Sequence, residues 1–317
     1  MLARRASPQA LLDELQAAEA AGADALGHWL ATCSNPALRG GLRVIQARDA
    51  AHARMAQRRL AALGASPRQE VSRQLAQLCG VLAAPDVSNR SKLAILLSRF
   101  PSEKSDPVST LLHDLDDDET RALLETIRDD DRTSVHWLHD VGAMLGTDEE
   151  PVRPSPTASL LRFLDAYRAA EEAGAAVIGA WGGVCALPGL RGGLDTIAER
   201  EATHAALLAA RLEELGGVVL MNLSDDVLDA AHAQLASREV PDEEKLATVL
   251  ARFADDDLVA RPVREVADAL DGDPETREML RVIAAGEAAT FSWLRSYRRA
   301  MTEQPRGVSL RVLDGGR

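Results

Sequence analysis

Residues 12–64 read LDELQAAEAAGADALGHWLATCSNPALRGGLRVIQARDAAHARMAQRRLAALG, and residues 164–216 read LDAYRAAEEAGAAVIGAWGGVCALPGLRGGLDTIAEREATHAALLAARLEELG. Set one above the other without a gap, the lines are 152 positions apart. Glu19, Gly22, Trp29, Cys33, Arg39, Gly40, Gly41, Leu42, His52 and Gly64 return as Glu171, Gly174, Trp181, Cys185, Arg191, Gly192, Gly193, Leu194, His204 and Gly216. Asp49 returns as Glu201, so the acid persists while its length changes. The likeness resumes at an offset of 156, where Glu119-Thr120-Arg121 answers Glu275-Thr276-Arg277, Asp131 answers Glu287, and Trp137-Leu138 answers Trp293-Leu294. A duplication inside one chain is a two-row alignment. Surface positions have drifted between the rows, so a polar residue kept in both needs a reason.

The chain has 317 residues, room for two ordinary domains each with its own core. Its apolar fraction is 46%, much of it Ala and Leu, while aromatics are 3% and β-branched runs are scarce. That balance predicts helix and argues against sheet. A net charge of −13 argues against nucleic acid or an anionic membrane as partner. No apolar run reaches the roughly 20 residues that span a bilayer, and the first residues lack the apolar core of a secretion signal. Three cysteines, two of them at matching helix positions (Cys33 and Cys185), do not make a disulfide framework, so a reducing cytoplasm is the expected location.

Helix punctuation divides each half alike. Ser7-Pro8 and Ser155-Pro156-Thr157 open a long first helix that ends at Asn35-Pro36 and at Pro188-Gly189. A second helix is expected from about Leu42 or Leu194 to Gly64 or Gly216, the usual residue for a C-terminal stop. Shorter helices follow, then a long fourth helix near 119–145 and 275–302. This predicts an all-α chain of two tandem four-helix bundles: bundle 1 over 1–148, a Pro-rich linker over 149–156, bundle 2 over 157–304 and a tail over 305–317.

The chemistry lies on the inward stripes. Spacings of three and four run through Leu12, Leu15, Glu19, Gly22, Leu26, Trp29 and Cys33, with an acid in the middle of an apolar seam. The second copy puts Glu171 at the same step. The second helix carries Asp49 and His52, its copy Glu201 and His204, and the fourth helices carry Asp131 and Glu287. Three helices of each half thus aim a carboxylate inward, with a histidine one turn from one of them. A buried charge that loses its partner costs about 3–5 kcal/mol. A central cation would remove that penalty for all the acids together, and an oxygen-rich set with histidine suits iron, manganese or zinc.

Glu on the first helix, then Glu201-x-x-His204 with Leu208, Leu212 and Gly216 on the second, resembles the ferritin-like superfamily, its rubrerythrin-type branches most closely. The resemblance implies bundles that hold paired iron or manganese with a Glu from each of two helices and Glu-x-x-His from each of the other two. Here Ser134 and Thr290 stand where the fourth helix would carry its histidine, and no inward acid is evident on the third helix. The implied ligand sets are Glu171, Glu201, His204 and Glu287 in the second half and Glu19, Asp49, His52 and Asp131 in the first, with one iron or manganese ion per bundle. The longer Glu201 and Glu287 favour the second set.

The leading function is therefore that of a metal-binding oxidoreductase acting with oxygen or peroxide. The alternative is a non-catalytic helical scaffold with degenerate sites and no metal, in which Arg48, Arg200, Arg59 and Arg211 neutralise the acids. Iron storage is a third. Arg39-Gly40-Gly41 and its copy read as helix-start turns, and the acidic runs 116–119 and 129–131, apart from Asp131, read as mostly helix-start and surface charges. A homodimer stays open, and the alternation of residues 308–313 is that of an extended docking peptide, against a loosely held tail.

Overall fold

A computed structural model describes residues 7–68, 70–99, 112, 115–144, 157–223, 225–253, 255 and 257–303. The linker 149–156 and the tail 305–317 lie outside them. The described residues form helices and no strands, as the composition requires. They are α1 (Pro8–Thr32), α2 (Pro36–Ala62), α3 (Arg73–Ala83), α4 (Asn89–Leu97), α5 (Asp118–Met144), α6 (Ala158–Val184), α7 (Pro188–Glu214), α8 (Asp225–Leu235), α9 (Asp242–Arg252), α10 (Asp257–Asp268) and α11 (Pro274–Glu303). No helix among the described residues is long and apolar enough to cross a membrane.

Side-chain caps fix the helix starts. Ser7 accepts from the Ala10 N–H, Asn35 from Leu38 and Thr157 from Leu160, each satisfying an N–H that the helix itself leaves open. The stops of α2 and α7 use Gly64 (φ 72°) and Gly216 (φ 80°) in the left-handed region.

The second helices begin at Pro36 and Pro188, about a turn and a half earlier than expected. The Arg-Gly-Gly motifs are therefore helical, not turns, and packing explains their glycines. A Cβ on Gly40 would overlap the backbone of Glu275, and one on Gly192 would overlap that of Glu119. Gly41 and Gly193 receive the indoles of Trp137 and Trp293. The first pair of glycines thus lets a helix of one half lie directly on a helix of the other.

The halves interlock accordingly. α11 packs more extensively on α2 than on α7, and α5 packs more extensively on α7 than on α2. These four helices form the centre, α1 covers α2 and α6 covers α7. The largest apolar cluster mixes Leu26, Trp29 and Leu42 with Leu164, Leu212 and Ile283. Trp29 and Trp181 are fully buried, and their indole N–H groups donate to Asn89 and Asp242.

Candidate metal centres

Each half gathers its acids and histidine around one point. In the first, single ligand atoms of Glu19 (α1), Asp49 and His52 (α2) all lie within 4.8 Å of one another. Asp131, from α5, lies with its carboxyl 3.7 Å from His52 Nδ1. In the second half Glu171 (α6), His204 (α7) and Glu287 (α11) meet the same 4.8 Å limit. Glu201, one turn before His204, lies beside them. All eight expected residues therefore fall into two groups, although Asp131 and Glu201 stand outside the tightest sets.

Local sequence makes the room. A Cβ on Gly22 would sit 2.9 Å from Asp49 Oδ2, and one on Gly174 would overlap the Glu201 carboxylate. The glycine kept on the first helix of each half is where the acid of the second helix fits.

Many of the polar atoms in these groups lack partners. His52 Nδ1, both ring nitrogens of His204, Glu171 Oε2, Glu201 Oε2 and Glu287 Oε1 are buried without a hydrogen bond. His52 Nδ1 is 3.4 Å from Glu19, and His204 Nδ1 is 3.3 Å from Glu171 and 3.2 Å from Glu287, but none of these contacts is aligned as a hydrogen bond. Buried polar groups are normally satisfied. Ligand atoms that converge without hydrogen bonds to satisfy them are a donor set that a cation can take.

The electrostatics agree. Burial, then the negative charge of Glu19 and Asp131, holds the Asp49 carboxyl well above the usual range. Burial and Glu287 raise Glu171, and burial with Glu287 and Glu171 raises Glu201 well above its usual value. For both histidines burial favours the neutral ring, but the facing carboxylates outweigh it and raise the pKa. Both histidines and Asp49, Glu171 and Glu201 thus favour their protonated forms more than the free side chains do.

The two centres differ behind the histidine. His52 Nε2 lies 3.3 Å from Asp130, a carboxylate at 1% exposure whose other oxygen takes the Arg200 guanidinium. Burial works against the charged form of Asp130, but the Arg200 charge overrides it and holds the carboxyl far below its usual range. Asp130 therefore stays ionised and accepts, His52 Nε2–H donates, and Nδ1 is left facing Glu19 and Asp131. Arg200 also donates to Thr290 Oγ1 on α11, so a hydrogen-bonded line runs from the first centre to the helix carrying Glu287. At the matching place of the second half stands Gly286, and Arg48 fills the space that a side chain there would need. Arg48 donates to Val282 O at 3.1 Å and Thr133 Oγ1 at 3.0 Å, leaving His204 Nε2 with no carboxylate behind it.

Asp130 corrects the reading of the run 129–131 as surface charge: it is the buried anchor of His52. The arginines also divide. Arg59 pairs with Asp117 and Glu119, and Arg211 with Asp273, all at the start of the fourth helices and away from the cluster acids. Cys33 and Cys185 are buried at helix ends, as small apolar residues would be. The chain matches no protein-family model, no curated protein and no solved structure.

Proposed function

We propose that this chain is a metal-binding protein of the ferritin-like kind. Glu19, Asp49, His52 and Asp131 would hold one iron or manganese ion, and Glu171, Glu201, His204 and Glu287 a second. The activity proposed is an oxidoreductase reaction with dioxygen or peroxide. The observation that carries this reading is the convergence of carboxylates on a buried histidine in both halves, with buried, unpartnered ligand atoms on Glu171, Glu201, His204 and Glu287 in the second and on His52 Nδ1 in the first. When bound, such an ion supplies Lewis acidity and a one-electron redox couple.

The chain's own residues do the rest. The carboxylates would offset the ion's charge, and burial would strengthen that attraction. Asp130 keeps the His52 ring turned so that Nδ1 faces the cluster, the role outer-shell acceptors play at metal-bound histidines. Burial of Glu171, His204 and Glu287 limits the entry of water at the second centre.

Although the longer glutamates favour the second half as ligand set, we assign the chemistry to the first. Its histidine is oriented, and Asp131 has 44% of its side chain accessible, whereas Glu171, His204 and Glu287 are sealed. The second centre would then serve chiefly to hold an ion. The scaffold reading keeps one observation in its favour, the buried Arg200–Asp130 pair that already neutralises one acid next to the first cluster.

The test is oxidation of Fe(II) added to metal-free protein under air or with peroxide, followed by absorbance. Wild type should oxidise the iron faster than Asp49→Ala/His52→Ala. Equal rates would remove the oxidoreductase assignment.

A further inference from the structure

One wall of the first centre is open. A cavity of about 220 Å³ lies between α1, α2, α5 and the short helices α3 and α4, and Glu19, Asp49 and Asp131 are among the residues that line it. One wall is α3, which presents Leu75, Leu78, Cys79 and Leu82 at spacings of three and four. The rest is largely leucine, isoleucine and valine from α1, α2, α4 and α5. Asp131 faces this space, which accounts for its accessibility beside a neighbour, Asp130, that has almost none.

Size and lining select a ligand. A dry cavity of roughly 150 Å³ lined by aliphatic and aromatic side chains takes up benzene, and this one is larger. The walls give a ligand's body almost nothing to hydrogen-bond: the Ser134 hydroxyl already donates to Asp130 O at 3.1 Å. A polar group placed midway along a bound molecule would therefore lose its water without replacement. Only the carboxylates can receive one, and they disfavour an anion.

We propose that this cavity binds a compact, mostly apolar molecule, a single-ring aromatic or a short alkyl compound, with at most one neutral or cationic function directed at Glu19, Asp49 and Asp131. This deepens the proposed function and rests on it for one point, that the bound molecule is the substrate of the first centre. Binding itself needs only the cavity.

Cys79 reports on occupancy. It is half-buried on the cavity wall, whereas Cys33 and Cys185 are buried elsewhere. The experiment measures alkylation of Cys79 by iodoacetamide at mildly alkaline pH, by peptide mass spectrometry, with toluene as the probe and glycerol as the control. At a toluene concentration about ten times its Kd, alkylation should slow about tenfold, with no change in glycerol. Ala18→Leu, which narrows the cavity from α1, should weaken the protection. Toluene that leaves the wild-type rate unchanged up to its solubility would overturn the proposal, and so would undiminished protection in a folded Ala18→Leu variant. If that variant does not fold, the wild-type comparison of toluene with glycerol decides alone. Metal content is counted in the same samples. Protection in a protein that takes up no metal would support the binding site and count against the metal reading only.

Discussion

Asp130 and Gly286 occupy matching positions, each just before an acid of a cluster, Asp131 or Glu287. Asp130 orients His52 and holds Arg200, while Gly286 leaves its space to Arg48 and leaves His204 without a carboxylate partner. Asp130→Asn keeps the size and removes the ionised acceptor. Outer-shell losses of this type lower metal affinity by about 10–100-fold, and competition titration should show the drop at the first centre alone. An equal drop at both centres would count against the assignment. Gly174 is the second case. Gly174→Ala puts a methyl against the end of the Glu201 side chain, which must turn away. Metal uptake at the second centre should therefore fall while the urea midpoint changes little, and unchanged uptake would count against Glu201 as a ligand. The eight cluster residues were legible because both halves repeat them. Asp130 was hidden because its counterpart is a glycine and its neighbours are acidic, so nothing in the sequence separates it from surface charge.

Among the elements, the helices follow from caps and spacing, and the largest discrepancy lies at Pro36 and Pro188. An Arg-Gly-Gly motif looks like a turn in sequence, yet a glycine within a helix is tolerated where another backbone must come close. Gly40 meets the backbone of Glu275, which cannot swing aside as a side chain can. Gly40→Ala should therefore destabilise by about 1–3 kcal/mol or more. Gly80, exposed in α3 with open space where a Cβ would go, provides the contrast. Gly80→Ala should stabilise by about 0.5–1 kcal/mol through helix propensity. Chemical denaturation of the two variants compares these effects directly, and equal effects would contradict the helix crossing. Periodicity identified which face of each helix is buried, but not which helix covers it. That is why the pairing of α2 with α11 and of α5 with α7, across the halves, could not be read from the sequence.

For the molecule as a whole, the raised carboxyls and histidines fix how stability varies with pH. Asp49, Glu171 and Glu201 have folded pKa values above their unfolded ones, so the folded state binds more protons and stability falls as pH rises between the two. His52 and His204 act in the same direction: their contribution is full below the unfolded value of 6.5 and is lost as pH climbs through the raised folded value. Asp130 and Asp242 are depressed, so their contribution is present above the unfolded value of 3.8 and is lost as pH falls. The metal-free protein should therefore be most stable in mildly acid solution and weaken as pH rises through neutrality. Manganese(II) competes with those protons, so its stabilising effect should widen over the same range. Thermal unfolding with and without the ion tests both trends, and metal-free stability that rises toward pH 8 would contradict them. The most direct measurement is metal content per chain by elemental mass spectrometry, after expression with iron and manganese supplied. Wild type should hold about two ions per chain, one for each ligand set, with one lost in Asp49→Ala/His52→Ala and the other in Glu201→Ala/His204→Ala. A wild-type content below about a tenth of an equivalent, far short of what even one such site holds, would contradict the metal account and leave a helical scaffold with protonated acids at its centre.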